Sequence, residues 1–515
     1  MSKEHSPYAD AARMFGALTG VSAAVYGLLY VWSFGLVSPL ALVTNPGVVD
    51  TLSGLGEVTV AVLGIAITVV AIIVELAANR YTPRITELFL RDLPNLLVMG
   101  FFVLTAVLVL WTDMSLYGET WPASMVLVSL LCMTASLLLL LPYFAYVFDF
   151  LTPDRVIETI RGRAVRALER GSDPHVVEAS REEVLSAIEQ LGELALNAVE
   201  SRDKGISISA VGALCELGID HLGHKAALHP SFFETEALAS ADQDFIALHP
   251  DMVSALATRR TWVEMKVLRQ YQAILPPTMH RMQDIAHLLC IRTRQMGVEA
   301  ARRKDLPAVR LSIRFFNTYF RAAINARDVR TAFNLMNEYR VFAESLLEGE
   351  LPEEMLDACR HFQFYGQLAF DKSLGFIQET VAYDICVLLE RAYALESPVH
   401  GPLLEILLDL DREPETGGVQ EAALRGVRKA QIKLATYYLM VEQPRFAQEI
   451  WDDMAHEKRA RLFSIREEIL AVTDAEYWEV SDRGIHFDYL EPERRPYLDE
   501  FFGWFEGTVT LPPLE

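Results

Sequence analysis

The chain has 515 residues, room for more than one domain, with 46 Lys and Arg against 69 Asp and Glu and a formal net charge of −23. Such an acidic surplus argues against nucleic acid as a partner, because affinity for a phosphate backbone rests on Lys and Arg. Five isolated cysteines (Cys132, Cys215, Cys290, Cys359 and Cys386) form no zinc spacing and fit buried thiols in a reducing compartment.

Residues 1–150 hold five basic residues, Lys3, Arg13, Arg80, Arg84 and Arg91, and ten acidic ones. A hydrocarbon core of about 30 Å takes roughly 20 apolar residues in helix. Four segments meet that length: Phe15–Val37, Val58–Leu76, Leu93–Trp111 and Ala123–Phe148. The first is too long for a signal-peptide core and lacks an A-x-A end, so it reads as a span rather than a cleaved leader. Within it Gly16 and Gly20 lie on one face with Ala12 and Ala24, a small-residue row for close helix packing inside the unit or between subunits.

The only charge in the spans is Glu75, at an end. Their polar content reads as Thr19, Ser22, Tyr26, Tyr30, Ser33, Thr68, Thr105, Ser129, Thr134 and Ser136. That disfavours ion-coupled transport, which needs ionisable groups in the membrane, and leaves a hydroxyl-lined pore open. Pro142 is expected to bend the fourth span. The connections at 44–57 and 112–122 carry no Lys or Arg. Basic residues instead flank the other span ends: Lys3 and Arg13, then Arg80, Arg84 and Arg91, then Arg155, Arg161, Arg163, Arg166 and Arg170. Positive charge stays on the cytoplasmic side, which puts both termini there, while Trp32, Trp111, Tyr117 and Trp121 suit the outer interface. The arginines after the fourth span are also placed to attract anionic lipids at the cytoplasmic face, each worth about 1 kcal/mol close to the surface.

Between the second and third spans, Arg80-Tyr81-Thr82-Pro83-Arg84 reads as a helix stop and restart, with Thr82 as N-cap and Pro83 at the first helical position. The segment 83–92 that follows predicts a short amphipathic helix on the inner membrane surface. Tyr81, Thr82, Pro83, Arg84, Leu90 and Asp92, with the four-span layout, resemble a large bacterial family of uncharacterised predicted membrane proteins with a soluble C-terminal region. The resemblance covers the first third of the chain. It implies a multi-pass protein of the bacterial inner membrane and no established activity. That family's later Ser-Pro-x-x-Asn-Asp-Pro type motif has no counterpart at 197–211.

Residues 154–471 read almost wholly as amphipathic helix, broken at Gly171-Ser172-Asp173-Pro174, Pro276-Pro277, Leu306-Pro307, Leu351-Pro352, Ser397-Pro398, Gly417-Gly418 and Gln443-Pro444. The expected fold is all-α: a four-helix transmembrane unit over 1–150, then a cytosolic helical domain over 151–471, solenoid-like or an irregular bundle. In residues 434–454, Leu434, Ala435, Tyr438 and Ala447 resemble one tetratricopeptide unit. Residues 472–515 form an aromatic and acidic tail. In it Tyr477–Val480 and Ile485–Tyr489 admit a small β-hairpin, and Phe501, Phe502, Trp504 and Phe505 form an apolar cluster suited to packing back on the helices or to anchoring a partner.

No phosphate loop, H-E-x-x-H or G-x-S-x-G pattern occurs. Glu216, Asp220 and His224 form an i, i+4, i+8 stripe that can hold a divalent metal only if a second helix adds ligands; side-chain pairing on the surface is the commoner use of such a stripe. The expectation is a protein without enzymatic activity or cofactor. It acts as a membrane anchor, sensor or scaffold whose helical domain binds a protein partner or another copy of itself. The alternative is an oligomeric channel with the cytosolic domain as gate or vestibule.

Overall fold

The computed structural model describes residues 47–80, 86, 89–90, 92–115, 123–234, 242–411, 419–477, 483–484 and 486–507. The chain divides into two units, residues 1–160 and 161–515. No strand occurs among the described residues.

In the first unit, α1 (Gly47–Arg80), α2 (Leu93–Ser115) and α3 (Ala123–Phe150) each pack on the other two. The first expected span, with Gly16 and Gly20, lies outside the described residues, as do Tyr81, Thr82, Pro83, Arg84 and Arg91. The outer loop expected over 44–57 is helix from Gly47 onward. Gly54 and Gly56 look like turn residues there, but Gly56 serves packing: a Cβ on it would lie 2.7 Å from Val109 Cγ1 of α2. α3 runs through Pro142 as one helix to Phe150.

Polarity in this unit is inverted relative to a water-soluble bundle. Ile65, Ile72, Leu97, Leu104, Leu110 and Leu131 face outward, while Asn95, Thr105, Thr112, Ser129 and Ser136 are buried. The buried groups form a ladder between antiparallel α2 and α3. Thr112 and Ser129 share a hydrogen bond of 2.7 Å, Ser136 donates to Thr105 at 3.0 Å, and Tyr143 donates to Asn95 Oδ1 at 2.7 Å. Tyr146 donates to Asp92 at the next step. The polar content read from the sequence omitted Asn95, Thr112, Tyr143 and Tyr146. They lie near the span ends, where a polar residue looks like a boundary, yet they carry most of the ladder.

Four described helical stretches are long and apolar enough to cross a membrane: Ser53–Ala78, Leu93–Met114, Val128–Phe150 and Lys204–His224. The fourth belongs to the second unit, where Ala210, Val211, Leu214 and Leu217 are buried against neighbouring helices. Helices that enclose it account for its apolar surface without lipid.

The chain enters the second unit along α4 (Pro153–Arg170). Then follow α5 (Val177–Glu200), α6 (Lys204–His224), a 3₁₀ turn (Pro230–Phe233), α7 (Pro250–Arg259), α8 (Trp262–Thr278), α9 (Gln283–Arg302) and α10 (Leu306–Ala326). Next come α11 (Val329–Glu348), α12 (Pro352–Asp371), α13 (Gly375–Ala394), α14 (His400–Leu408) and α15 (Val419–Met440). The unit ends with α16 (Pro444–Met454), α17 (Arg459–Ala471) and α18 (Arg495–Glu506). Two layers result. α5, α8, α10, α12 and α14 stack in order, each on the next, and α6, α9, α11, α13 and α15 form the second layer in the same way. Helix pairs stacked so make an α-solenoid.

Its register is regular. Helices α9 to α13 begin at Gln283, Leu306, Val329, Pro352 and Gly375, a step of 23 residues. A pair therefore occupies 46 residues, close to the roughly 40–47 of HEAT and armadillo units and well above the roughly 34 of tetratricopeptides. Leu434, Ala435, Tyr438 and Ala447 are buried in α15 and α16, so their tetratricopeptide-like spacing reflects core packing within a longer repeat. In the tail, Phe501, Phe502, Trp504 and Phe505 are buried on α18, which packs on α15, with Trp451–Phe505 and Phe463–Phe502 ring centroids 5.6 and 5.4 Å apart. The cluster packs back on the helices. Residues 478–482 and 485 of the hairpin expected near 477–489 lie outside the described residues; its described part shows no strand, although the His486 amide donates to the Ala475 carbonyl at 3.0 Å and the His486 ring lies 5.3 Å from that of Tyr477.

Candidate functional site

Helices α11, α13 and α15 lie side by side, and their common face carries aromatic and charged side chains at helical spacing: Phe333 and Arg340, then Phe376, Tyr383 and Glu390, then Lys429 and Lys433. Described non-helical residues between Arg483 and Arg494 cross that face. At one end, Arg483 donates to Asp384 at 2.7 Å and to the Phe333 carbonyl at 2.9 Å, with its guanidinium 4.2 Å from the Phe333 ring centre. In the middle, the Phe487 ring stacks on Tyr383 at 4.7 Å, and Asp488 accepts from the Tyr383 hydroxyl at 2.9 Å and from Lys429 at 2.6 Å. Lys433 donates to the Phe487 carbonyl at 2.7 Å. At the far end, Arg494 holds Glu390 in a fork at 2.7 and 2.9 Å. Between strap and helices lies a cleft of about 460 Å³ whose lining includes Asn337, Cys386 and His486.

The electrostatics fit a desolvated contact. Burial pushes the Asp384 carboxyl up, against the pull of Arg483 and Arg340. Burial holds the Lys433 ammonium below its ordinary value, with Glu491 working the other way. Such a face can bind extended chain: it takes up a backbone carbonyl, offers an aromatic slot, and closes each end with a forked or buried ion pair.

The described residues singled out in the sequence as site candidates lie off this face, on other helices. Arg161 sits between Glu216 and Asp220, 3.0 Å from each, and His224 Nδ1 lies 2.8 Å from the Asp220 carbonyl oxygen. Among the described residues, no group of three or more His, Cys, Asp or Glu could hold a metal. Arg155 pairs with Asp149 at 3.5 Å, and Arg163 and Arg170 converge on Glu183 at 3.4 and 3.0 Å. Arg166 has no acidic partner among the described residues, and Arg80 closes α1. Cys215, Cys290, Cys359 and Cys386 are buried free thiols; burial pushes Cys215 up to about 12. The strap was missed because Arg483 and Arg494 find their acidic partners 99 and 104 residues away, beyond any local pattern.

An inverted polarity over three long helices decides the class of the first unit, and comparison with known proteins agrees. Residues 14–226 match the DUF2254 family of predicted membrane proteins. No curated protein and no solved structure matches the chain. The DUF2254 match takes in the whole of α1 to α6 and ends at residue 226, before the strapped face begins. The family description therefore speaks to the spans, and the site on α11, α13 and α15 rests on its own geometry.

Proposed function

We propose that this membrane protein is an anchored scaffold whose helical repeat takes up extended protein segments across the face of α11, α13 and α15, with its own residues 483–494 as the resident occupant. One observation carries the reading: three successive helices of one layer hold a single non-helical segment through side chains. A surface that recognises such a segment within the chain can recognise one from a partner or a second copy. No catalytic role is assigned. The location that fits is the bacterial inner membrane, with both termini in the cytoplasm. A pore gains no support from Thr105, Thr112, Ser129 and Ser136, whose hydroxyls bond one another across α2 and α3.

The test uses the full-length protein in detergent and a fluorescent peptide spanning residues 481–496. The double variant Arg483→Ala/Arg494→Ala is expected to release the strap and bind the peptide, while the wild type, already occupied, binds at least tenfold more weakly. Equal binding by both, or none by the variant with its strap amides freely exchanging, defeats the proposal.

A further inference from the structure

Many basic side chains of the second unit are held by carboxylates. Arg294 holds Glu338, Arg428 is ringed by Asp411, Asp453 and Glu457, Arg461 bridges Glu421 and Glu457, and even fully buried Lys266 has Asp242 and Asp244. One cleft gathers several arginines that are not so held. A cleft of about 360 Å³ between α7, α8 and α10 is lined by Arg259, Arg269, Arg310 and Arg314. Only Arg310 reaches an acid, Glu354 at 3.0 Å, and its own side chain is 62% exposed. Arg269 makes one long bond of 3.4 Å to the amide oxygen of Gln272, and its Nε is buried without a hydrogen-bond partner. Arg259 and Arg314 have no carboxylate within ion-pair distance among the described residues. Met252, Leu256, Met265, Leu311 and Phe315 supply the apolar part of the lining.

With 69 acidic side chains available against 46 basic ones, four arginines on one cleft with a single carboxylate contact among the described residues leave that cleft short of negative charge. Arg310 and Arg314 stand one turn apart on α10, and Arg269 on the adjoining helix α8 borders the same cleft. Guanidinium groups gathered in a cleft raise its positive potential. Each also offers a planar fork that matches the oxygens of a phosphate or carboxylate. The apolar lining adds a requirement that a bare anion does not meet, since Met252, 40% exposed, and half-buried Leu311 gain from covering by an apolar body.

We infer that the α7–α8–α10 cleft binds a small anionic amphiphile, a phosphate or carboxylate group joined to an apolar body. The anion sits among Arg259, Arg269 and Arg314, and the apolar part lies on Met252, Leu256 and Phe315. The same chemistry is carried by a soluble organophosphate and by the headgroup region of an anionic lipid.

Isothermal titration of the full-length protein in neutral detergent with hexyl phosphate, inorganic phosphate and hexanol tests the site. Hexyl phosphate is expected to bind at least tenfold more tightly than either fragment. Arg259→Gln and Arg314→Gln are each expected to weaken it by about tenfold, the loss of one charge-assisted contact. Arg302→Gln, on an exposed arginine outside the cleft, serves as control and should leave affinity unchanged. Repeating the titration in nanodiscs separates the sources: weaker apparent binding in phosphatidylglycerol than in phosphatidylcholine discs assigns the site to a lipid headgroup, and equal binding assigns it to a soluble ligand. The inference is overturned if hexyl phosphate binds no better than hexanol or inorganic phosphate, or if both cleft variants bind as the wild type does while remaining folded by circular dichroism.

Discussion

Two glutamates in the helical array show how burial and partners set opposite signs. Glu264 on α8 is fully buried, with His221 Nδ1 at 3.2 Å and Lys225 Nζ at 3.1 Å. Burial alone would raise its pKa, but His221 and Lys225 outweigh it and bring the group down to about 2. A carboxylate held below its ordinary value adds stability that is complete above about pH 4.5 and lost as pH falls toward 2. Glu264→Gln is therefore expected to cost roughly 3 kcal/mol at pH 7, and the difference from wild type should shrink in thermal unfolding curves taken below pH 4. Glu379 on α13 runs the other way. Burial, then Asp488, pushes it up to about 7 against the pull of Lys429. Its contribution is complete below about pH 4.5 and is lost as pH rises through 7. Glu379→Gln should raise the melting temperature at pH 8, by roughly 1–2 kcal/mol in stability, and leave it unchanged at pH 5. A variant less stable at pH 8 would show that the charge is held by partners and not merely tolerated.

The unit of construction at the next scale is a helix plus a short turn, of three residues in most cases. After α5, α9, α10, α11, α12, α13 and α15 the chain passes through a left-handed residue, Arg202, Lys304, Arg327, Glu350, Ser373, Glu396 or Glu442. The same two backbone bonds recur: in the turn after α10, Arg327 N–H donates to the Ile324 carbonyl and Asp328 N–H to that of Ala323. Asp328 then caps α11 through Thr331 N–H at 3.1 Å and reaches back to His280 N–H at 3.1 Å and the Gln283 amide at 3.1 Å. Asp328→Ala removes a cap and an inter-repeat tie together and should cost about 2–3 kcal/mol, with faster amide exchange at His280 as its signature. Arg327→Gly should stabilise the chain by up to about 1 kcal/mol, because glycine takes a positive φ without a Cβ clash. These turns also explain what was legible beforehand. Breaks marked by Pro307, Pro352, Pro398 and Pro444 were readable, since proline announces a helix start. The breaks at 202, 327 and 373 were not, because no glycine or proline marks them and the left-handed position is filled by Arg or Ser. Spacings of 45 and 46 residues between those prolines already contained the repeat.

For the molecule as a whole, the strongest signal in the sequence was hydropathy, and it survives in three dimensions as apolar side chains facing outward over α1, α2 and α3. The strapped face and the arginine cleft were illegible, because each joins residues from helices far apart in sequence. Threading direction is a whole-molecule property too, and it follows from where the arginines are absent. The described end of α2 around Met114 has no nearby Lys or Arg, whereas the chain beyond α3 is rich in arginine. Moving positive charge outward across the bilayer is what the rule forbids, so the orientation proposed above, with both termini in the cytoplasm, expects Met114 on the outer side and the helical array on the inner. Met114 is 67% exposed and Glu467, on α17, is 72% exposed, which makes both positions reachable by reagents. In a background lacking the native cysteines, Met114→Cys should react with a membrane-impermeant maleimide in intact spheroplasts, and Glu467→Cys only after the membrane is opened. Labelling in the reverse order would invert the topology and move the scaffold surface to the outside of the cell.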